Sequence, residues 1–352
     1  MRSDRDAATV PIAPMHDAGV IDAARREMRD LAPDSARFGV AGVALPPRDS
    51  ATYYEQPLLK KPHWEWEVIV YLFLGGIMGG SGILTALADE SGEDAELARN
   101  ARYVAFVLAS TCPLVLIKHL GRPERFLYML RIVKFKSVMS MGVWGLIAFS
   151  LPATAGATAQ AARDGLLPKQ LRWLRFVGPR ALTNPLSALF GAFIAGYTGV
   201  LLSATAIPVW AKGKRHIPAM SACSGIAGAC ALNAALLELS GNPNPVTRRR
   251  LERLELVASL AEAAIILDFR RHAGAIANPM FASKHGRKME LATLLGGIVI
   301  PAVLGFLPFH AKWKTVLSST LTLAGGYVLR ETLIEAGKDS ADDPRAASRQ
   351  PE

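Results

Sequence analysis

The sequence is poor in the residues that hold redox metals. It has three cysteines in 352 residues, with no CxxC pair and no cluster-type run, so the chain does not hold an iron-sulfur cluster of its own. Cys112, Cys223 and Cys230 all fall inside apolar stretches, where buried structural thiols are the ordinary occupants. Cys223 and Cys230 are seven apart and share a helix face. The seven histidines stand at 16, 63, 119, 216, 272, 285 and 310, in the tail, in loops or at span ends. No pair sits mid-membrane, so haem ligation is not expected and any electrons must pass through a diffusible carrier or a partner's centres. No metal site is expected either.

A signal peptide is also missing. The start, MRSDRDAATVPIAPMHDAGV, has acids near the front and no apolar core of sufficient length. The tail is therefore expected to be retained, either as an extended arm that orders on a partner or as a plain disordered leader. The net charge of +10 does not imply a nucleic-acid partner, because the Lys and Arg are spread over loops at helix ends, as membrane topology requires. Basic loops near 118–136, 212–216 and 270–288 place the N-terminal side in the cytoplasm by the positive-inside rule.

What the chain has in abundance is apolar length. Its composition is 51% apolar and its mean hydropathy is +0.23, high for a chain with charged tails. A span takes about 20 apolar residues to cross roughly 30 Å of hydrocarbon. Eight stretches qualify: 67–88, 101–118, 138–161, 185–211, 217–239, 254–270, 290–311 and 315–335. Glu255, Glu262 and Asp268 interrupt the sixth. The expectation is an all-α integral membrane protein with eight transmembrane helices, a tail over 1–62, a membrane domain over 63–338 and a polar C-terminal tail over 339–352.

The first span opens on HWEWEVIVYLFLGGIMGGSG. On a helix, Glu67, Tyr71, Gly75, Gly79 and Gly82 share one face, with the polar pair at the interface and the glycines deeper. Trp64 and Trp66 suit an interfacial aromatic belt. Gly75, Gly76, Gly79 and Gly80 give two overlapping GxxxG spacings, which by themselves suit close helix packing. Packing gives no reason for Glu67.

Four stretches carry a longer signature: YLFLGGIMGG on the first span, LGRPERFLYMLR after the second, MSMGVWG opening the third and GYTGVLLSATAIPVW on the fourth. Together they resemble the NrfD family of membrane proteins, typified by the membrane-embedded chain of polysulfide reductase, over about residues 53–335. The resemblance implies eight spans in two four-helix bundles, 63–211 and 212–338, no haem, and a quinone site at the end of the first bundle. It further implies a ferredoxin-like iron-sulfur subunit and a catalytic oxidoreductase subunit as partners at the cell's inner (plasma) membrane. The chain alone would catalyse nothing complete.

The resemblance sets Tyr71 where polysulfide reductase has a quinone-contacting histidine, Glu67 at or next to an asparagine, and Tyr197 on the family's quinone-contacting tyrosine. Two of the three differ in residue type, which leaves menaquinone and ubiquinone both open. Tyr71 and Tyr197 hydroxyls can hydrogen-bond quinone oxygens, Glu67 can take up protons of a quinol, and Gly75 and Gly79 let a flat ring lie against backbone. Glu238, Glu262 and Asp268 are costly in lipid unless they face the bundle interior. They read as proton-path candidates or as structural partners of Lys118, Arg253 or Arg330. The alternatives are a secondary transporter using those buried acids and a purely structural anchor. An interfacial polar constellation and the lack of an internal repeat count against the transporter.

Overall fold

The computed structural model describes residues 59, 61–92, 94–122, 124–241, 244–282, 284–307 and 311–342. Every regular element among them is helical. Eight long helices follow the eight apolar stretches: α1 Trp66–Ser91, α2 Ala95–His119, α3 Val138–Arg163, α4 Arg180–Ser203, α5 His216–Ser240, α6 Pro245–Ala273, α7 Lys284–Phe306 and α8 Lys312–Ala341. Short turns such as Arg125–Met129 and Pro208–Lys212 join them. Six of the eight, all but α6 and α8, are long and apolar enough to cross a membrane. The other two have the length but carry more charge, including Arg248, Glu255 and Glu262 on α6 and Arg330 and Glu331 on α8.

The ends differ from the hydropathy reading where local chemistry overrides it. The fourth stretch, expected over 185–211, is cut in two: α4 ends at Ser203, and Pro208 starts a separate short helix. Proline at a first turn lacks the N–H that would continue the ladder, and it biases the residue before it to extended backbone. The sixth is longer than 254–270. Pro245 occupies the first helical position, and Asn244 Oδ1 accepts from the Val246 N–H at 3.0 Å, so a polar start is capped. Helix α8 reaches Ala341, which removes 339–341 from the C-terminal tail. The tail over 1–62 lies outside the described residues up to 58, as do His16, His310 and residues 343–352.

Helix α1 is central. Of its most apolar window, 78% is buried inside the protein, against 33% for α2 and 28% for α7, as befits a helix apolar all round. It packs against α2, α4 and α5, while α3 closes against α2 and α4. Helix α5 in turn packs on α4, α6 and α8, and α7 lies on α8. The overlapping GxxxG spacings serve two neighbours at once. Gly79 meets α4, where an added Cβ would stand 2.3 Å from the Gly191 carbonyl oxygen. Gly76 and Gly80 meet Gly225 and Ala229 of α5. Small residues on two faces of one helix let two backbones approach it closely.

Of the belt tryptophans, only Trp66 is exposed, with Lys118 Nζ 4.5 Å from its ring centroid. Trp64 instead stacks on Trp210, ring centroids 5.1 Å apart. Trp210 is fully buried and donates to the Leu333 carbonyl at 2.8 Å, tying the loop after α4 to α8.

Asp94, which precedes α2, joins that helix to the start of α6. Its carboxylate accepts from Thr247, Arg250 and Ser91. Burial opposes its charge, but these bonds and the Arg250 charge outweigh burial and hold the carboxyl below its usual range. A carboxylate depressed on folding stabilises above its unfolded value of about 3.9, and that stabilisation is lost as pH falls through the folded value. Unfolding followed from about pH 5 to pH 3 should show a shallower acid loss in Asp94→Asn than in the parent chain. Parallel curves would remove Asp94 from the acid response.

Candidate functional site

Consecutive helices alternate in direction, so the start of α1, the end of α2, the start of α3 and the end of α4 meet at one end of the first four helices. Glu67, Tyr71 and Tyr197 fall at this end. Glu67 is buried, at 9% exposure, and its Oε2 has no hydrogen-bond partner. Tyr71, one turn further, is 6% exposed, and its hydroxyl lies within electrostatic reach of the Tyr197 hydroxyl and of Cys112. Among the described residues the Tyr71 hydroxyl forms no hydrogen bond. Glu67 and Tyr71 thus offer a buried carboxylate oxygen and a phenol whose hydrogen-bonding capacity is unspent, about 6 Å apart along the helix axis.

Tyr197 differs. Its hydroxyl donates to the Val138 carbonyl at 3.0 Å, and its ring lies tilted against Phe193 at 5.8 Å. Gly142 makes room for it: a Cβ there would come 2.1 Å from the tyrosine oxygen. The stretches MSMGVWG and GYTGVLL are therefore one structural unit, a glycine notch on α3 holding a tyrosine from α4. The spacing of either stretch alone could not reveal this.

The two glycines of the expected flat face have different surroundings. At Gly75, itself buried, an added Cβ would meet Ile194 in ordinary contact at 3.8 Å. At Gly79 the backbone of α4 already fills the space. The tight approach of α4 therefore sets in at Gly79 and leaves room for a methyl group at Gly75.

The three other acids are not brought together. Glu238, on α5, is 2% exposed and lies 3.9 Å from Arg248 at the opposite end of the helices from Glu67. Glu262, on α6, accepts from Ser224 of α5, and Arg330 of α8 donates to the same Ser224 oxygen and to the Ser221 carbonyl at 2.9 Å. Of the three cations named as alternative partners, Arg330 is the one that joins this cluster. Asp268 is exposed and pairs with His216 at 3.0 Å near the C-terminal end of α6. Glu255 shares the face of Glu262 and accepts from Thr322 at 2.7 Å.

A further polar group had escaped the sequence reading. At the opposite end of the first four helices from Glu67, Arg102 of α2 is 3% exposed and pairs with Asp89 of α1. It also donates to Gln160 at 2.9 Å, and Asn184 donates to Asp89 at 2.7 Å. Arg102 falls in the first turns of its span and Asp89 in the last turn of its own, positions that read as ordinary helix ends until their partners are known. Glu67 and Asp89 are about 33 Å apart along α1, so the two polar groups mark opposite ends of the first four helices.

The family model for polysulphide reductase, NrfD matches residues 57–339, nearly all of the chain from the start of α1 to the end of α8. The chain is 29% identical over 224 residues to Protein NrfD of Escherichia coli strain K12, covering 58% of this chain and 70% of that protein. It is 24% identical over 310 residues to the Protein NrfD homolog of Haemophilus influenzae, covering 78% of this chain and 94% of that protein. Together with the six apolar helices, the match over the whole helical region establishes that the chain belongs to the polysulphide reductase NrfD family.

Proposed function

We propose that this chain is the quinone-reacting membrane subunit of a multi-subunit respiratory oxidoreductase, exchanging electrons with a ferredoxin-like iron-sulfur subunit at the cell's inner membrane. In this reading all eight helices cross, α1–α4 and α5–α8 forming two four-helix sets. Support for crossing by α6 and α8 comes from their charges, since Glu255, Glu262 and Arg330 turn inward to polar partners and away from lipid.

The observation that carries the reading is the orphaned Glu67 oxygen one turn from a Tyr71 hydroxyl that forms no hydrogen bond among the described residues. A quinone head group fits these residues: it is flat, it presents carbonyl oxygens to a phenol donor, and its quinol must shed two protons along with two electrons. Tyr71 would donate to one ring oxygen and hold the head group in register. Glu67 would take up the two protons in turn and release each at the helix end, where α1 begins. Tyr197, whose own proton is held by the Val138 carbonyl, would offer lone pairs and a ring edge and so shape the site. The electrons leave to a centre on the partner.

The test is to tag the chain, solubilise native membranes in mild detergent, and record the co-purifying subunits, the absorbance and the extracted quinone on one sample. The expected result is an iron-sulfur subunit with near-stoichiometric quinone and no haem spectrum. A monodisperse lone chain without quinone would overturn the proposal.

A further inference from the structure

A cavity lies in the other half of the protein, at the end of the helices opposite Glu67. The first turns of α6 and α8 and the last turns of α7 enclose about 310 Å³, within the size range of small-ligand sites. Its two sides differ in chemistry. One is polar: Arg249 and Arg253, four apart on α6, with Lys314, Thr315 and Ser318 on α8. The other is apolar, formed by Ile298, Pro301, Leu304 and Phe306 of α7, and Phe306 is 76% exposed.

Three features point to an anionic occupant. Thr315 is 6% exposed, yet its Oγ1 has no hydrogen-bond partner, and a buried hydroxyl left unsatisfied is costly unless something in the cavity bonds it. Arg249 and Arg253 are exposed at the mouth and form no ion pair among the described residues. The acids that share the cavity wall are already engaged: Glu255 with Thr322 at 2.7 Å, and Glu252 facing Arg248 at 3.9 Å. With Lys314 the wall carries three cations against two acids.

We propose that this cleft binds an anionic phospholipid. A phosphate oxygen accepts from the Thr315 hydroxyl, and Arg249 and Arg253 balance its charge. An acyl chain runs along Leu304 and Phe306 of α7, where the cleft opens towards the hydrocarbon. Basic pockets between membrane helices recognise acidic headgroups by this combination of charge and apolar wall. The apolar side is what separates a lipid from a soluble phosphate. The inference stands apart from the quinone reading, since it uses no residue of the Glu67 site.

The full chain, delipidated in detergent, would be titrated with phosphatidylglycerol, phosphatidylcholine and inorganic phosphate, with binding read by native mass spectrometry. Phosphatidylglycerol should bind about ten-fold tighter than phosphatidylcholine, and millimolar phosphate should not displace it. Arg249→Gln with Arg253→Gln, both at exposed positions, should bring the two lipids to parity. Thr315→Val breaks no existing hydrogen bond, so it should leave thermal stability without lipid unchanged and still weaken phosphatidylglycerol binding several-fold. Equal affinity for the two lipids in the parent chain overturns the proposal. A preference that survives the double arginine substitution does so too. Displacement by phosphate alone would mark a soluble-anion site, and displacement by a short-chain quinone would mark a second quinone site; either also overturns it.

Discussion

Glu67→Gln should lower quinone-linked electron transfer about 10²–10⁴-fold, the span that a positioned proton acceptor contributes, while the complex still assembles. Glutamine keeps the size of the side chain and cannot take up a proton at neutral pH. The orphaned Oε2 makes no bond that the substitution could break, so an effect on assembly has no structural source. Tyr71→Phe separates the roles further. It removes a hydroxyl that forms no hydrogen bond within the described residues, so stability should hold while quinone affinity falls by about 1–2 kcal/mol, the worth of one hydrogen bond. The expected pattern is a loss mainly in turnover for Glu67→Gln and mainly in quinone KM for Tyr71→Phe, measured with a soluble electron acceptor in detergent. Full turnover in both variants, with intact assembly, would leave a purely structural anchor as the better reading.

Arg330→Ala should be the most destabilising single change in the second half of the protein, by about 3–5 kcal/mol if Glu262 remains ionised. Arg330 is 1% exposed and donates to Ser224, to the Ser221 carbonyl and to the Gly326 carbonyl at 3.3 Å. Ser224 passes the chain of donors on to Glu262. Removing the guanidinium leaves a buried carboxylate without its counter-charge and takes a side-chain donor from the Ser224 hydroxyl and from two helix carbonyls that keep their backbone donors. The double variant Arg330→Met with Glu262→Gln removes both charges at nearly constant volume and should recover most of the loss. Unfolding midpoints in detergent for Arg330→Met, Glu262→Gln and the double variant complete the cycle. Additive losses would mean that Glu262 and Arg330 do not act as a pair. The same cycle bears on proton movement: if Glu262→Gln alone alters proton uptake in vesicles without altering stability, the carboxylate has a role beyond the pair.

Much of this arrangement could be read one residue at a time. Eight apolar stretches became eight helices because the length of an apolar run is a property of the chain alone. The shared face of Glu67 and Tyr71 followed from helical periodicity, and the buried acids on α6 were visible as charges in an apolar setting. Helix ends were less legible, since a proline such as Pro208 or a capped polar start such as Asn244–Pro245 moves a boundary without changing the apolar count.

The order of residues was enough to make the chain helical, membrane-like in composition, poor in cysteine and histidine, and polar on one face of its first apolar stretch. Which of these features are available for chemistry became visible only once the helices were packed. Gly75 and Gly79 look alike in sequence, yet one has room for a methyl group beside Ile194 and the other meets the α4 backbone. Tyr71 and Tyr197 are equivalent as residue types, yet only Tyr197 spends its proton on a neighbouring carbonyl. Glu262 and Asp268 stand six apart on one helix, yet one joins a buried donor chain and the other an exposed pairing with a histidine. The physical reason is common to all three. Hydropathy and periodicity are local to a helix, whereas the rotation of each helix and the partner it meets depend on contacts between residues far apart in the chain.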